Sequence, residues 1–226
     1  MGGKLLLSLV VGTVIIILAA FSFLSGAILG AFLSYSADLP NIPELKRYQP
    51  KTVSTFYAED GTVIGVFYKQ KRFLVELNRI PVRVIHAFMA AEDSRFYQHR
   101  GVDWMGMLRA AYTNLVTGRF QQGASTITQQ LTRHVLLSHD KKISRKIKEI
   151  LLAKRLEKLW GKEKILYVYL NEIYLGGQCY GVEAAARNYF DKHVEQLTTA
   201  EAALLAGIVP SPATYNPFEN REKALR

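Results

Sequence analysis

The chain has 226 residues, which is enough for one folded domain of common size and an attached segment. Its 49% hydrophobic and 21% charged residues argue against an intrinsically disordered chain and against a membrane protein with many spans. The formal net charge of +10 predicts an anionic partner, which could be nucleic acid, anionic lipid or a phosphorylated substrate.

An uncharged stretch from Leu5 to Tyr35 lies near the start of the chain. It is longer than the roughly 20 apolar residues that cross a bilayer as a helix, and too long for the apolar part of a cleaved signal peptide. The sequence therefore predicts a transmembrane helix. Its orientation stays open, because Lys4 on one side and Lys46 and Arg47 on the other give no decisive charge difference.

The next segments predict a linker and a small β-structure. Residues 37–50 contain three prolines and no helical period, which favours an extended linker. Strand-forming residues lie on both sides of Asp60-Gly61, a dipeptide that suits the positive φ angles of a tight turn, so a β-hairpin is predicted. A further strand is predicted from about Arg72 to Leu77.

From Pro81 onward, apolar residues fall three or four apart, which predicts a mostly α-helical remainder with Pro81 at the first position of a helix. A long helix is predicted from about Lys141 to Trp160, ending at Gly161. Residues that favour helix starts also recur. They are Asp103 for a helix ending near Gly118, Ser125 or Thr126 for the next helix, and a capping box of Thr198 and Glu201 for the apolar helix Ala200 to Ile208.

Two adjacent acids, Glu92 and Asp93, lie where the first of these helices gives way to a loop, and Phe96 and His99 follow. Such an edge suits the wall of an active site. An ordinary solvated helix end is the commoner meaning of this spacing. No second histidine stands at ligand spacing, and the single cysteine, Cys179, excludes an intramolecular disulfide and a multi-cysteine metal site, so the sequence predicts no metal site.

Residues 121–130 place hydroxyls and amides at a predicted helix start, after Gly123. Free backbone N–H groups at such a start could hold a phosphate. The segment lacks the Gly-Lys-Ser/Thr ending of a Walker loop. Helix capping would explain Ser125 and Thr126 equally well.

Residues 141–149 form the basic start of the long helix, and Arg145 and Glu149, four apart, share one face. Two functional interpretations compete: a diphosphate clamp beside a catalytic carboxylate, and a basic face lying on anionic lipid. A solvated charged face with an internal ion pair is the alternative without a function.

At these segments the sequence resembles the family 51 peptidoglycan glycosyltransferases, found in class A penicillin-binding proteins and in monofunctional cell-wall transglycosylases. The motifs match in order: residues 92–101 fit Glu-Asp-x-x-Phe-x-x-His-x-Gly, 123–130 fit Gly-x-Ser-Thr-x-Thr-Gln-Gln, 145–149 fit Arg-Lys-x-x-Glu, 169–171 fit Tyr-Leu-Asn, and 181–192 fit Gly-x-x-x-Ala-Ala-x-x-Tyr-Phe-x-Lys. The resemblance covers about residues 53–217. One departure is Tyr167, which stands where the family usually has an acidic residue.

The resemblance implies a mainly α fold: a lysozyme-like lobe, a smaller membrane-proximal lobe, a short β-hairpin region and one N-terminal transmembrane helix. Three parts are expected. Residues 1–36 would be the cytoplasmic N-terminus and anchor, 37–80 the extracytoplasmic linker and hairpin, and 81–226 a catalytic domain that is incomplete at its C-terminal end. The protein is expected in the inner (cytoplasmic) membrane as a single-pass protein, with its catalytic domain in the periplasm.

The resemblance also implies lipid II as the substrate. A sugar 4-hydroxyl would attack the anomeric carbon of the growing strand, with inversion and release of undecaprenyl diphosphate. Glu92 resembles the general base, and Glu149 the second glutamate, which orients or helps the leaving group. The expected substrate-binding residues are Asp93, Phe96, His99, Ser125, Thr126, Gln130, Arg133, Lys141, Arg145 and Lys146.

No cofactor is expected to be required, although a divalent cation, Mg²⁺ or Mn²⁺, could assist at the diphosphate. The expected partners are lipid II, the growing glycan strand, the membrane and other cell-wall synthesis proteins, and nucleic acid is disfavoured for a domain outside the cytoplasm. Two alternatives remain. One is a lytic transglycosylase, which cleaves glycan with one glutamate as acid, and the other is a membrane-anchored scaffold without catalysis.

Overall fold

The computed structural model of the protein describes residues 2–37, 39, 48, 50, 52–118, 123–136 and 142–224, and these are mainly α-helical, as predicted. In chain order the elements are α1 (Gly2–Ala37), β1 (Ser54–Tyr57), β2 (Val63–Phe67), α2 (Val82–Glu92), α3 (Trp104–Thr117), α4 (Ile127–Leu136), α5 (Lys142–Glu172), α6 (Val182–Phe190), α7 (Thr199–Ile208) and α8 (Arg221–Ala224). Short 3-10 turns lie at Leu77–Arg79, Phe96–Gln98 and Val194–Gln196.

The first helix, α1, is long and apolar. Its segment Val10–Ala27 has the length and composition of a membrane-crossing helix, and none of that segment is buried against the rest of the protein. The predicted apolar helix is therefore present in the fold. In space, α1 contacts α5.

The predicted hairpin is confirmed. Strands β1 and β2 pair antiparallel, with Ser54 opposite Phe67, and Gly61 in the turn adopts a φ angle of 84°. The carboxylate of Asp60 accepts a hydrogen bond of 2.9 Å from the backbone N–H of Thr62, which closes the turn.

The predicted strand from Arg72 to Leu77 is wrong. Residues 72–76 form no strand in the described chain, and the backbone groups of Val75 bond to a side chain of α5 in place of a partner strand. Asn171 accepts a hydrogen bond of 2.9 Å from the N–H of Val75 and donates one of 3.1 Å to its carbonyl. The buried Arg72 side chain donates to the carbonyl of Asn171 at 2.9 Å and pairs with Glu172 at 2.9 Å.

The helix caps mostly follow the prediction. The side chain of Asp103 accepts from the N–H of Gly106 at the start of α3, and Gly118 ends that helix in the left-handed conformation. Thr198 and Glu201 form the predicted capping box of α7. Pro81 is the residue that precedes α2, one position earlier than predicted.

Two glycines have conformations that the fold requires. Gly101 has a φ angle of 85°, and a Cβ placed there would lie 2.7 Å from the carbonyl oxygen of Ala153 on α5. Gly161 has a φ angle of 70° and breaks α5, as predicted, although the helix resumes at once and continues to Glu172. The two segments of α5, 142–160 and 162–172, therefore have different directions.

The core lies between α5 and the helices packed around it. Helix α4 packs against α5 and α2 packs against α7. Fully buried side chains at this centre include Phe88, Phe96, Ile127, Leu156 and Leu170. Together they bring the end of α2 and the start of α4 to one place.

Helix α3 has a large apolar face that the described part of the chain leaves uncovered. Its exposed residues share one side of the helix, at spacings of one, three or four. They are Trp104, Met105, Leu108, Tyr112, Leu115 and Val116, each more than half exposed. Contiguous apolar surface of this kind is typical of a protein or membrane contact.

We expect Asn171→Ala to lower the free energy of unfolding by about 3 kcal/mol, because it leaves both backbone groups of Val75 buried without a partner. Denaturant unfolding in detergent measures the change. The control is Asn188→Ala, a half-buried asparagine of α6, which we expect to change the value by about 0.5 kcal/mol or less. Equal losses in the two variants would contradict the role given to Asn171.

Candidate active site

A cleft of about 500 Å³ opens at the C-terminal end of α2. Its lining includes Glu92 and Asp93, residues 123–126, which precede α4, and Gln130 within α4. Arg95, Asp103, Arg109 and Pro210 line the remainder. The fold therefore brings together residues 92–101 and 123–130, the described parts of two segments that the sequence selected separately.

Glu92 is the last residue of α2, and its side chain is half-buried in the cleft wall. The amide nitrogen of Gln130 donates a hydrogen bond of 2.5 Å to Glu92 Oε2. Burial raises the pKa of Glu92 above the usual range of a glutamate, and the negative charge of Asp93 adds to this, while the Gln130 hydrogen bond and the charge of Arg133 lower it. A carboxylate with a raised pKa is a stronger proton acceptor than an ordinary glutamate.

Gln130 is held from behind by Tyr169 of α5. The Tyr169 hydroxyl donates to Gln130 Oε1 at 3.3 Å, and the tyrosine is 1% exposed. Tyr169 is not among the site residues expected from the sequence, although it begins the matched Tyr-Leu-Asn motif.

Asp93 is buried and holds two segments together. Nε2 of His99 lies 2.9 Å and 3.0 Å from the two carboxylate oxygens of Asp93, and the N–H of Ile127 donates to Oδ2 at 3.0 Å. Ile127 is the first residue of α4, where backbone N–H groups lack helical partners, so the Asp93 carboxylate caps this helix. The adjacent Phe96 is fully buried, with its ring edge-on to that of His99.

The buried positions of Phe96 and His99 bear on their expected contact with substrate. Phe96 is 0% exposed and His99 is 8% exposed, so both lie behind the wall of the cleft. Any effect they have on a ligand has to pass through the wall residues. The sequence motif could not distinguish such support from direct contact, because burial depends on the packing of distant helices.

Thr126 acts as the cap of α4. Its hydroxyl accepts from the N–H of Gln129 at 3.2 Å and donates to the carbonyl of Gly101 at 2.6 Å, while Gln129 Oε1 accepts from the N–H of Thr126 at 3.0 Å. Together with the bond from Ile127 to Asp93, these contacts use three of the first backbone N–H groups of the helix. The capping interpretation is therefore confirmed for Thr126, and these N–H groups are already bonded within the protein.

A charged cluster adjoins the cleft at Ser125. Nζ of Lys146 donates to Ser125 Oγ at 2.8 Å and lies 3.4 Å from Glu149 Oε2. The predicted pair of Arg145 and Glu149 is present at 3.6 Å. The side chain of Glu149 is 3% exposed, whereas those of Arg145 and Lys146 are 36% and 41% exposed, so the cations can reach a ligand and the carboxylate orients them.

Arg133 and Lys141 complete the set of expected site residues. Arg133 lies one turn after Gln130 on α4, where its charge acts on Glu92. Lys141 lies outside the residues that the structure describes. Tyr167, at the position where the family usually has an acid, is half-buried on α5.

A polar cluster beneath the cleft was not found from the sequence. Thr128 donates to Glu157 at 2.8 Å, and Lys162 donates to the same carboxylate at 2.5 Å. The ammonium of Lys162 lies 4.2 Å from the ring centre of Phe96. These contacts fix α4 and the end of α2 on α5, and they join residues too far apart in the chain for a local signal.

A cluster of two glutamates and a histidine, away from the cleft, has the spacing of metal ligands. Glu183, His193 and Glu195 bring oxygen and nitrogen atoms within 4.8 Å of one another. Arg187 pairs with Glu183 at 2.7 Å and Arg79 pairs with Glu195 at 2.6 Å. The two arginines already balance this charge, so the group acts as an ion-pair cluster in the structure.

We expect Asp93→Asn to lower the free energy of unfolding by roughly 1.5–3 kcal/mol, since the amide cannot accept from both His99 and Ile127 as the charged carboxylate does. Thermal unfolding and faster hydrogen exchange at the Ile127 amide would report the loss. Asp60→Asn, at the exposed hairpin turn, is the control and should change stability little. An Asp93→Asn protein as stable as the control would contradict the capping role.

A family model described as transglycosylase matches residues 60–226. Penicillin-binding protein 1A of Neisseria gonorrhoeae is 46% identical over 199 residues, which are 88% of this chain and 25% of that protein. Penicillin-binding protein 1A of Aquifex aeolicus is 44% identical over 218 residues, 96% of this chain and 30% of that protein.

A crystal structure of penicillin-binding protein 1A from Haemophilus influenzae, at 25% identity, aligns with 78% of this chain and 17% of that chain, with a TM-score of 0.39. This chain spans about a quarter of the length of the Neisseria gonorrhoeae protein. The family match includes every cleft segment described above. The family resemblance is confirmed, and the chain belongs to the transglycosylase family of peptidoglycan glycosyltransferases.

Proposed function

We propose that this chain is the catalytic glycosyltransferase part of a cell-wall synthase, which polymerises lipid II into glycan strands and releases undecaprenyl diphosphate. The observation that carries the proposal is Glu92, a half-buried carboxylate of raised pKa in the wall of a cleft, next to a cluster of cations. A proton acceptor and an anion-binding group on one cleft are what transfer of a sugar from a diphosphate requires.

The proposed reaction divides between the two sides of the cleft. Glu92 takes the proton of an acceptor sugar's 4-hydroxyl, whose oxygen bonds to the anomeric carbon of the donor from the opposite face. The bond from that carbon to the diphosphate oxygen breaks, which inverts the carbon and leaves its electron pair on the diphosphate. The Gln130 hydrogen bond keeps the carboxylate of Glu92 in place during this step.

The leaving diphosphate gains negative charge, so fixed cations at its position lower the barrier. In this proposal Lys146 and Arg145 bind the diphosphate, and Ser125 binds beside them. Glu149 orients both cations from its buried position. Arg133 and Lys141 are proposed to bind the donor on the strength of the family motifs, while Asp93, Phe96, His99 and Thr126 support the cleft.

A divalent cation at the diphosphate fits the described residues poorly. Mg²⁺ and Mn²⁺ favour oxygen ligands, and around Ser125 the structure offers one carboxylate, Glu149, which Arg145 and Lys146 already engage. The two cations supply the positive charge that the leaving group needs. The proposed mechanism therefore has no step through a metal ion.

We further propose an inner-membrane location, in which α1 crosses the bilayer with its N-terminus in the cytoplasm and the cleft lies on the periplasmic side. The length of α1 and the exposed apolar face of α3 support a protein that works at a membrane surface. Residues 1–36 would anchor the protein and residues 37–80 would form the membrane-proximal part. The helical part from residue 81 would form the lysozyme-like lobe, and lipid II and the growing strand would reach the cleft from the bilayer.

We expect Glu92→Gln to reduce polymerisation at least about a hundredfold, because glutamine keeps the size and hydrogen bonding but cannot accept a proton. In the wild type, the rate should rise with pH through the raised pKa of Glu92, since only its ionised form is a base. The midpoint of that rise should lie above about 4.3, the ordinary value for a glutamate. Polymer formed from labelled lipid II over a range of pH measures both effects.

The matched control is Glu163→Gln, an exposed glutamate on α5, which should retain the activity and pH profile of the wild type. Preformed glycan serves as the second substrate. Full synthesis by Glu92→Gln would remove Glu92 as the base. Cleavage of glycan without polymer formation would favour a lytic enzyme in its place.

We expect Lys146→Met to lower turnover by roughly a hundred- to thousandfold, because it removes a cation from the oxygen that gains charge. Its effect on unfolding should be much smaller, since Arg145 still pairs with Glu149. Lys158→Met, an exposed lysine further along α5, controls for the loss of one positive charge. Similar turnover in the two variants would place Lys146 outside the site.

A further inference from the structure

Tyr169, behind the cleft, is linked to Glu92 by hydrogen bonds through the side chain of Gln130. The hydroxyl of Tyr169 lies 3.3 Å from Gln130 Oε1, and Nε2 of the same amide lies 2.5 Å from Glu92 Oε2. Tyr169 is 1% exposed and cannot touch a ligand in the cleft. We propose that Tyr169 is a positioning residue, whose hydroxyl holds the Gln130 amide with its nitrogen facing Glu92.

The directions of the two hydrogen bonds follow from their chemistry. An amide accepts at its oxygen and donates at its nitrogen, whereas a phenol hydroxyl donates its single proton. Burial raises the pKa of Tyr169 well above its usual range, so the hydroxyl keeps its proton and donates to the amide oxygen of Gln130. That oxygen is turned away from Glu92, and the donor nitrogen is left to face the carboxylate.

The orientation of this amide matters because it decides which form of Glu92 the protein stabilises. An N–H donor stabilises the carboxylate, whereas an amide oxygen in its place would stabilise the protonated acid. Loss of the Tyr169 hydroxyl would leave Gln130 Oε1 buried without its partner and free the amide to turn or shift. The ionised fraction of Glu92 would then fall at a given pH.

Other groups also shift the pKa of Glu92, and they are unchanged when Tyr169 is replaced. Arg133 on α4 lowers the pKa of Glu92, while burial and Asp93 raise it. The other charged side chains that line the cleft are Arg95, Asp103 and Arg109. Replacement of Tyr169 by phenylalanine removes no charge, so its effect on Glu92 has to pass through Gln130.

This inference rests on the proposed role of Glu92 as the base. The test is the pH dependence of lipid II polymerisation by the full chain in liposomes, with Tyr169→Phe beside the wild type. One hydrogen bond to Glu92 corresponds to roughly 0.5–1 pH unit. We expect the acid limb of the turnover profile to move upward by about this amount, with turnover on the high-pH plateau within a few-fold of the wild type.

Tyr189→Phe is the matched control, because it also removes one hydroxyl hydrogen bond, of 2.8 Å to the carbonyl of Leu175, outside the cleft. It should lower the melting temperature without moving the acid limb. In a Gln130→Met background, Tyr169→Phe should produce no further shift. An equal shift in the control, or a further shift in that background, would overturn the proposal.

Two outcomes separate this inference from the proposed function. A wild type without an acid limb, or an active Glu92→Gln variant, would refute Glu92 as the base and with it the role of Tyr169. An unmoved limb in folded Tyr169→Phe, with Glu92→Gln inactive, would overturn the role of Tyr169 alone.

If Tyr169→Phe does not fold, 3-fluorotyrosine at position 169 keeps the packing and donates more strongly. The limb should then move downward, and an unmoved or raised limb would overturn the proposal.

Discussion

The carboxylate of Asp93 is the point at which three segments of the chain meet. It accepts from the first amide of α4 and bonds to the imidazole of His99, so the end of α2, the following loop and the start of α4 are fixed relative to one another. The bond from Thr126 to Gly101 is a second tie between the same segments. Glu92 precedes this junction and Gln130 follows it by one helical turn, so the hydrogen bond between them depends on it.

The two glutamates of the site have different surroundings, and the proposed chemistry uses this difference. Glu92 faces a neutral amide, and burial raises its pKa, which suits a group that must take up a proton. Glu149 is buried against Arg145 and Lys146, which suits a group that holds cations in place. A transfer reaction that moves a proton at one end and releases a diphosphate at the other needs both environments.

Features that depend on neighbouring residues could be predicted from the sequence, and features that depend on distant ones could not. The hairpin turn at Asp60-Gly61 and the break at Gly161 are of the first kind, because local backbone angles determine them. The strand from Arg72 to Leu77 failed because Asn171, far along the chain, bonds the backbone in place of a strand. Recognised motifs selected the cleft residues, but only packing distinguishes a wall residue such as Glu92 from a buried support such as Phe96.

The break at Gly161 divides the site between two helical segments. The cationic cluster belongs to the segment before it, and Tyr169 and Asn171 belong to the segment after it. Apart from its chain neighbours and the adjacent helix backbone, no atom of the described residues lies within 4 Å of the place where a Cβ would stand at 161, so backbone angle, not crowding, is what favours glycine there. The two halves of the site are thus joined at one residue, whose left-handed backbone glycine adopts without strain, and buried side chains on both sides of it, Leu156 and Leu170, hold the resulting angle.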